Sequence, residues 1–279
     1  MIFVNDREVK FTTYPNGEAV VPEIPKGLNG TYLVRLRWSG DHDLLQLALV
    51  NGLLAQHNAR YTVLTIDYMP YSRMDREQDG HCFSLKYVSE IIAAMCWNKV
   101  YVVEPHSDVT LKLLGAEPIW ATARLTPKAM SWMGFDKEHD YLVLPDAGAY
   151  KRYSELVPEL DECHVVVLKK RRNFETGKIT GLEVGYTLNR GGYEPNVTPK
   201  KALIIDDLSS RGGTFVQAAE LLRAQLNFTE VALLVTHMEP AGLIGDLPKA
   251  LDRVFCTDTM TFPRPVPSNF EVFSRSDWL

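Results

Sequence analysis

The sequence predicts an α/β fold arranged as two tandem domains, each a mostly parallel sheet flanked by helices. Three observations carry that expectation. Short β-branched runs alternate with helical patterns from about Thr31 onward, the signature of successive parallel βαβ units. A length of 279 residues suits two domains at roughly 150 residues each. With 46% hydrophobic and 10% aromatic residues, the chain can bury substantial cores, which excludes a disordered tail protein.

Taken in order, Tyr32–Leu36 reads as the first strand of the alternation, and Leu44, Leu45, Leu47, Ala48, Leu53 and Leu54 crowd one face of the helix that follows. Tyr61–Ile66 is the next strand, Val88, Ile91, Ile92 and Met95 mark a second helix, and Lys99–Val103 closes this half. The stretch Thr126 to Asp140 is charged and interrupted by Pro127 and Gly134, so the domain boundary is expected there. Residues 1–140 then form an N-terminal domain and 141–279 a C-terminal one. Strands are expected at Tyr141–Leu144, His164–Leu168, Ala202–Ile205, Val231–Val235 and Val254–Cys256. A polar stretch from Asn189 to Lys201, with its prolines and glycines, reads as a long loop of the functional kind. Phe215, Ala218, Ala219, Leu221 and Leu222 mark a helix packed on the second sheet.

Several function classes fall away on composition. The net charge is −5, which argues against general nucleic-acid binding while permitting local basic pockets for small anions. Apolar runs such as Ile91 to Trp97 fall far short of the roughly 20 residues a membrane-spanning helix needs, and no basic-then-apolar leader opens the chain. A cytoplasmic protein that engages no membrane is the expectation. Cys82, Cys96, Cys163 and Cys256 form no CxxC pair, as idle thiols in a reducing compartment would not.

The most informative segment runs from Ala202 to Thr214, Ala-Leu-Ile-Ile-Asp-Asp-Leu-Ser-Ser-Arg-Gly-Gly-Thr, ahead of the helix that starts at Phe215. An apolar strand ending in two carboxylates, followed by a Ser/Gly turn at a helix start, sets acceptors for sugar hydroxyls beside N–H donors for a phosphate. Asp206 and Asp207 would accept from the 2- and 3-hydroxyls, while Ser209, Ser210, Gly212, Gly213 and Thr214 would wrap the phosphate. Taken alone, the same residues fit a strand-to-helix turn with an Asp/Ser cap equally well.

The rest of the chain shifts that balance, because it resembles the ribose-phosphate diphosphokinase (phosphoribosyl pyrophosphate synthetase) family, whose corresponding loop reads DDxxxTGGT. Tyr14-Pro-Asn-Gly-Glu18 is similar to the family's F-x-D-G-E, Asp41 to Leu47 to its N-D-x-L-M-E-L, and Pro70-Tyr-Ser-Arg-Met-Asp-Arg76 to its P-Y-x-R-Q-D-R. Further on, Glu104-Pro-His106 resembles D-L-H, Pro145-Asp-Ala-Gly148 resembles P-D-x-G, and Lys170-Arg-Arg172 is identical to K-R-R. Thr236-His237 and Thr257-Asp-Thr259 match paired elements near the carboxyl end. The matches keep chain order from residue 14 to 259, and the chain is somewhat shorter than typical members just after Arg76.

The resemblance implies two phosphoribosyltransferase-like domains, with the last residues able to pack on the first. It also implies transfer of the β,γ-diphosphoryl group of Mg-ATP to the anomeric hydroxyl of ribose 5-phosphate, releasing AMP. That chemistry rests on positioning and charge neutralisation, which a cationic loop closing over the phosphates would supply. By resemblance Lys170 is the principal catalytic residue and Arg172 a contact to the acceptor or transferred phosphates, where a Lys-Lys-Arg-Arg run alone would read as a solvated patch. Tyr14, Asn16, Glu18, Arg73, Met74, Asp75 and His106 would bind ATP, and His106, Asp146 and Glu104 are the candidate contacts to Mg2+ (magnesium). Without the family context, His106 reads as a structural hydrogen-bonder and Asp146 as a turn residue. The segment around Tyr14 implies a homo-oligomer with shared active sites.

Four departures stand out: Asn16 for Asp, Met74 for Gln, Glu104 for Asp, and Arg211 for the first Thr of TGGT. A guanidinium is bulky and permanently charged where the family has a small hydroxyl. Arg211 therefore raises ADP-ribose as an alternative acceptor, giving its 1-diphosphate, beside the ordinary ribose 5-phosphate. Two other classes compete. A catalytically silent regulatory relative would not need Lys170, Arg172, His106, Asp146, Asp206 and Asp207, and a phosphoribosyltransferase would not need Tyr14–Glu18, Arg73–Arg76 and the KRR segment together.

Overall fold

The computed structural model describes residues 1–78, 80–172, 179–188 and 200–279, and these form two compact units. The first comprises Met1–Ile119 with Thr259–Thr261, the second Trp120–Asp258 with Phe262–Leu279. Both are α/β, with mostly parallel sheets flanked by helices.

In the first unit β1 (Ile2–Val4) and β2 (Arg7–Glu8) form an antiparallel edge, and β3 (Thr12–Thr13) and β4 (Ala19–Val20) a separate small hairpin. Four parallel strands follow: β5 (Thr31–Leu36), β6 (Tyr61–Ile66), β7 (Lys99–Val103) and β8 (Glu117–Ile119), in the order β2-β1-β5-β6-β7-β8. Helix α1 (His42–Gln56) buries Leu47, Val50 and Leu54, and α2 (Ser84–Ala93) buries Leu85, Val88 and Ile92, all at helical spacing. Helix α3 (Asp108–Leu114) connects β7 to β8.

Helix α4 (Ala121–Met133) opens the second unit and corrects the expected domain boundary between 126 and 140. It runs straight through Pro127, and Gly134, at φ +59°, is its left-handed C-cap rather than a break inside it. Proline removes one helical hydrogen bond, yet burial of Ala121, Leu125, Ala129, Met130 and Met133 on the second sheet outweighs that loss. The helix thereby lies in the second unit, whereas a boundary at 140 assigns it to the first.

The second sheet contains β9 (Tyr141–Leu144), β10 (His164–Arg172), β11 (Ile179–Leu188), β12 (Lys200–Ser209), β13 (Phe228–Met238), β14 (Arg253–Thr257) and β15 (Phe270–Phe273). Their order is β11-β10-β9-β12-β13-β14-β15, parallel except for β11. Helices α5 (Ala147–Tyr153) and α6 (Glu159–Glu162) lie between β9 and β10, and α7 (Gly213–Leu226) follows β12. Helix α7 buries Phe215, Ala218, Ala219, Leu221 and Leu222, as its sequence pattern predicts. Short α8 (Leu247–Ala250) precedes β14, and α9 (Arg275–Trp278) packs on α4, where Lys128 Nζ donates to Asp277 O at 2.9 Å. The chain's last residues thus stay within the second unit.

Candidate active site

The order of the second sheet places its switch point between β9 and β12. From β9 the chain crosses to β10 on one side, while β12 leads on to β13, β14 and β15 on the other. Ligands of open α/β sheets bind outside the carboxyl ends of the strands at such a point. Here those ends carry Asp146, just past β9, and Asp206, Asp207 and Ser209, within β12.

Strand β12 is longer than its expected Ala202–Ile205. Asp206, Leu208 and Ser209 pair with Val235, His237 and Met238 of β13, so backbone hydrogen bonding holds the acidic residues in the strand itself. Both carboxylates face a cation that sequence reasoning missed. Arg152 Nη1 donates to Asp207 Oδ1 at 2.6 Å and to Asp206 Oδ1 at 3.4 Å, and only 14% of its side chain is exposed. Burial opposes the charge on Arg152, but Asp207, Tyr153 and Asp206 together outweigh it and raise its affinity for the proton. Burial also pushes Asp206 well above the ordinary carboxylate range, with the neighbouring Asp207 adding to the shift. The site therefore holds two neighbouring acids, one of them reluctant to ionise, and a guanidinium, a set that can accept from a diol and supply positive charge.

Helix α5 connects this cradle to the cationic segment. Asp146 is its N-cap, Oδ1 accepting from Ala149 N at 3.0 Å, while Oδ2 accepts from Lys170 Nζ at 3.2 Å. Burial, the largest single influence on Asp146, works against ionisation, but the Ala149 bond and the Lys170 ammonium together hold its pKa below the usual aspartate value. Arg152, six residues further along, carries the other end of the link.

Lys169 to Arg172 were expected in a loop after Leu168; instead they continue β10. Beyond Val167 the strand has left β9 and pairs with β11 alone, in a two-stranded ribbon. A second strand can shield the backbone there while long cationic side chains stay in solvent, so four consecutive basic residues are no obstacle to β structure. Lys169 Nζ pairs with Glu183 at 3.0 Å. Arg172 keeps its backbone pairing to Ile179, and its side chain lies outside the described residues, as does most of the expected loop from Asn189 to Lys201.

After β12 the chain turns through Ser210, Arg211 and Gly212 into α7. Gly212 has φ +79°, and a Cβ there would stand 2.8 Å from Leu247 Cβ, so glycine is required twice over. The first N–H groups of α7, from Gly213 and Thr214, have no partner within the helix, and a helix start of this kind can receive an anion. Ser210 Oγ donates to Glu239 Oε2 at 2.5 Å, a second residue absent from sequence reasoning. Parallel pairing of Ser209 with Met238 makes the turns after β12 and β13 neighbours, and that adjacency is the signal that could have found Glu239. For Arg152 the signal was weaker: an arginine in the last turn of a short helix.

In the first unit, Tyr14, Asn16 and Glu18 occupy the exposed tip of the β3–β4 hairpin, with Tyr14 60% exposed. Tyr14 N–H donates to Glu18 O, Glu18 N–H to Asn16 Oδ1, and Gly17 at φ +92° closes the turn. Tyr71 of the Pro70–Arg76 loop donates its hydroxyl to Asp41 Oδ1 at 2.6 Å, which raises its pKa and links two of the sequence motifs. Arg73 and Met74 are exposed, and Asp75 pairs with Arg76 at 3.7 Å. Glu104 is buried, 1% exposed, at the end of β7, with His106 half-buried two residues later. Tyr71 (φ +61°) and Glu104 (φ +43°) both adopt left-handed backbone, a cost that concentrates at working sites.

No protein-family model matches the chain. Curated relatives match it along most of its length. It is 29% identical over 258 residues to the ribose-phosphate pyrophosphokinase of Pyrococcus furiosus, covering 91% of this chain and 87% of that one. To the ribose-phosphate pyrophosphokinase of Thermococcus kodakarensis it is 28% identical over 260 residues, covering 92% and 87% respectively. Among solved structures, phosphoribosylpyrophosphate synthetase from Mycobacterium smegmatis matches with a TM-score of 0.73 over 96% of this chain and 86% of its own, at 19% identity, a likeness of fold.

Proposed function

We propose, from the premise that the chain is a short, divergent member of the ribose-phosphate diphosphokinase family, that it transfers the β,γ-diphosphoryl group of Mg-ATP to the anomeric hydroxyl of a ribose 5-phosphoryl acceptor, releasing AMP. The observation that carries this reading is the pair Asp206 and Asp207, set ahead of the α7 helix start at the switch point of the second sheet.

In this mechanism Asp207, and Asp206 when ionised, accept from the ribose 2- and 3-hydroxyls and fix the sugar's orientation. The turn from Ser209 to Thr214 receives the 5-phosphoryl group. Lys170, held by Asp146, places an ammonium where negative charge accumulates on the bridging oxygen, and Arg172 contributes a second cation. Bound with the ATP, magnesium would supply charge neutralisation of the triphosphate. Among the described residues no three His, Cys, Asp or Glu side chains gather to hold a metal. An ion held chiefly by substrate phosphates and water, with one or two protein contacts, suits that donor set. His106, Asp146 and Glu104 are its candidate contacts, and Tyr14, Asn16, Glu18, Arg73, Met74 and Asp75 the nucleotide contacts. A homo-oligomer with shared sites belongs to the same reading, supported by the exposed Tyr14 hairpin. So does a cytoplasmic setting, supported by four free cysteines.

Ribose 5-phosphate is the first acceptor. One observation favours a second: Arg211 is exposed and, among the described residues, makes no hydrogen bond or ion pair. Such a guanidinium is available to the distal phosphate of ADP-ribose. Incubating the purified protein with Mg-ATP and each acceptor, and measuring AMP by mass, tests the reading. Production of AMP and the acceptor 1-diphosphate is expected, and no AMP with either compound overturns it.

A further inference from the structure

We propose that Glu239 is a specificity residue of the acceptor cradle: its carboxylate, fastened to the Ser210 hydroxyl, lowers affinity for a ribose bearing a terminal, doubly charged 5-phosphate and leaves that for one whose 5-phosphoryl group is a singly charged ester nearly unchanged. This rests on the reading of residues 206–214 as the acceptor cradle.

The acid is fixed to that turn by two bonds. Ser210 Oγ donates to Glu239 Oε2 at 2.5 Å, and Glu239 N–H donates to Ser209 O at 2.8 Å. Sheet register dictates the contact, since Ser209 pairs with Met238 and the residues following each strand must run side by side. Packing leaves little slack: a Cβ on Gly242 would stand 2.9 Å from Ser210 O and 2.6 Å from Met238 Sδ. Glu239 is half-buried, not a side chain extended into solvent.

Two consequences follow from chemistry. A serine hydroxyl has one proton to donate, and this one already donates to a carboxylate, so Ser210 Oγ is spent as a donor to phosphate. A phosphate monoester carries about −1.5 to −2 at pH 7, its second pKa being about 6, whereas a diester carries one charge at each phosphorus. An anion one hydrogen bond from the turn disfavours that extra ionisation, as any like charge does. The N–H groups that open α7 can still meet a single charge, and exposed Arg211 offers a bidentate partner for a further phosphate in the same ester.

Calorimetric titration of the full chain with ribose 5-phosphate and with ADP-ribose, comparing the native protein with Glu239→Gln and Glu239→Ala, tests the assignment without any turnover. Both variants are expected to bind ribose 5-phosphate about tenfold more tightly, the factor that about 1.4 kcal/mol of relieved repulsion provides, with ADP-ribose affinity changing less than about twofold. An unchanged ribose 5-phosphate affinity, or an equal gain for both ligands, overturns it. If neither ligand binds any form, the cradle reading falls along with it. If the selectivity shift appears but AMP is never released, diphosphoryl transfer fails and the role of Glu239 stands.

Discussion

Arg152 Nη1 lies 2.6 Å from Asp207 Oδ1 and 3.4 Å from Asp206 Oδ1, so one guanidinium on α5 serves both acids of the β12 cradle. Removing it strands the nearly buried Asp207 beside a second acid. Arg152→Met is expected to lower unfolding stability by about 3 kcal/mol, as breaking one side of a buried pair does, and to weaken acceptor binding. Urea denaturation and acceptor titration measure the two effects. An unchanged unfolding midpoint means that the pair contributes nothing net.

Asp206 titrates above the ordinary carboxylate range because it is desolvated in a partly buried place beside Asp207. A folded-state pKa raised above the unfolded one means that stability is lost as pH rises through that window, since ionisation is harder in the native protein. Asp206→Asn is therefore expected to raise Tm by a few degrees at pH 8 and to leave it nearly unchanged below the ordinary aspartate pKa, where the acid is protonated in both states. Thermal melts across pH check the sign. Equal Tm differences at every pH contradict it.

Lys170 is partly exposed and contacts Asp146 through one ion pair. Lys170→Ala is expected to leave the fold intact and to reduce turnover about 10²- to 10³-fold, the loss typical of one charge-stabilising donor. Steady-state AMP release beside a thermal melt separates the two effects. Activity near that of the native protein removes Lys170 from the chemistry.

Gly212 combines φ +79° with a place where an added Cβ would stand 2.8 Å from Leu247 Cβ. Gly212→Ala is expected to cost about 1–3 kcal/mol through backbone strain and overpacking and to disturb the helix start proposed to receive the phosphoryl group. Calorimetric unfolding with acceptor titration tests both effects, and a variant of native stability and affinity refutes the requirement for glycine.

Much of the fold was legible locally. The strands Tyr61–Ile66, Lys99–Val103 and Tyr141–Leu144 match their apolar runs residue for residue, and the buried face of α7 is the one its spacing predicts. Strand β11 was not expected, although Leu182, Val184, Tyr186 and Leu188 alternate with smaller or polar residues; Gly181 and Gly185 dilute that signal. The end of helix α4 reads as an interrupted stretch at a domain boundary because proline propensity is local, whereas the sheet surface that stabilises the helix is contributed by β12 and β13, far along the chain.

By itself the sequence determined the α/β alternation, the motifs in their order, and the acidic, glycine-lined turn before α7, because hydrophobic period and turn chemistry are properties of neighbouring residues. Only the tertiary structure decided that Arg152 meets Asp207, that Lys170 meets Asp146, and that Glu239 meets Ser210. Those meetings depend on which strands lie side by side and in what register, a choice made by burial of whole sheet faces that no short window of sequence contains.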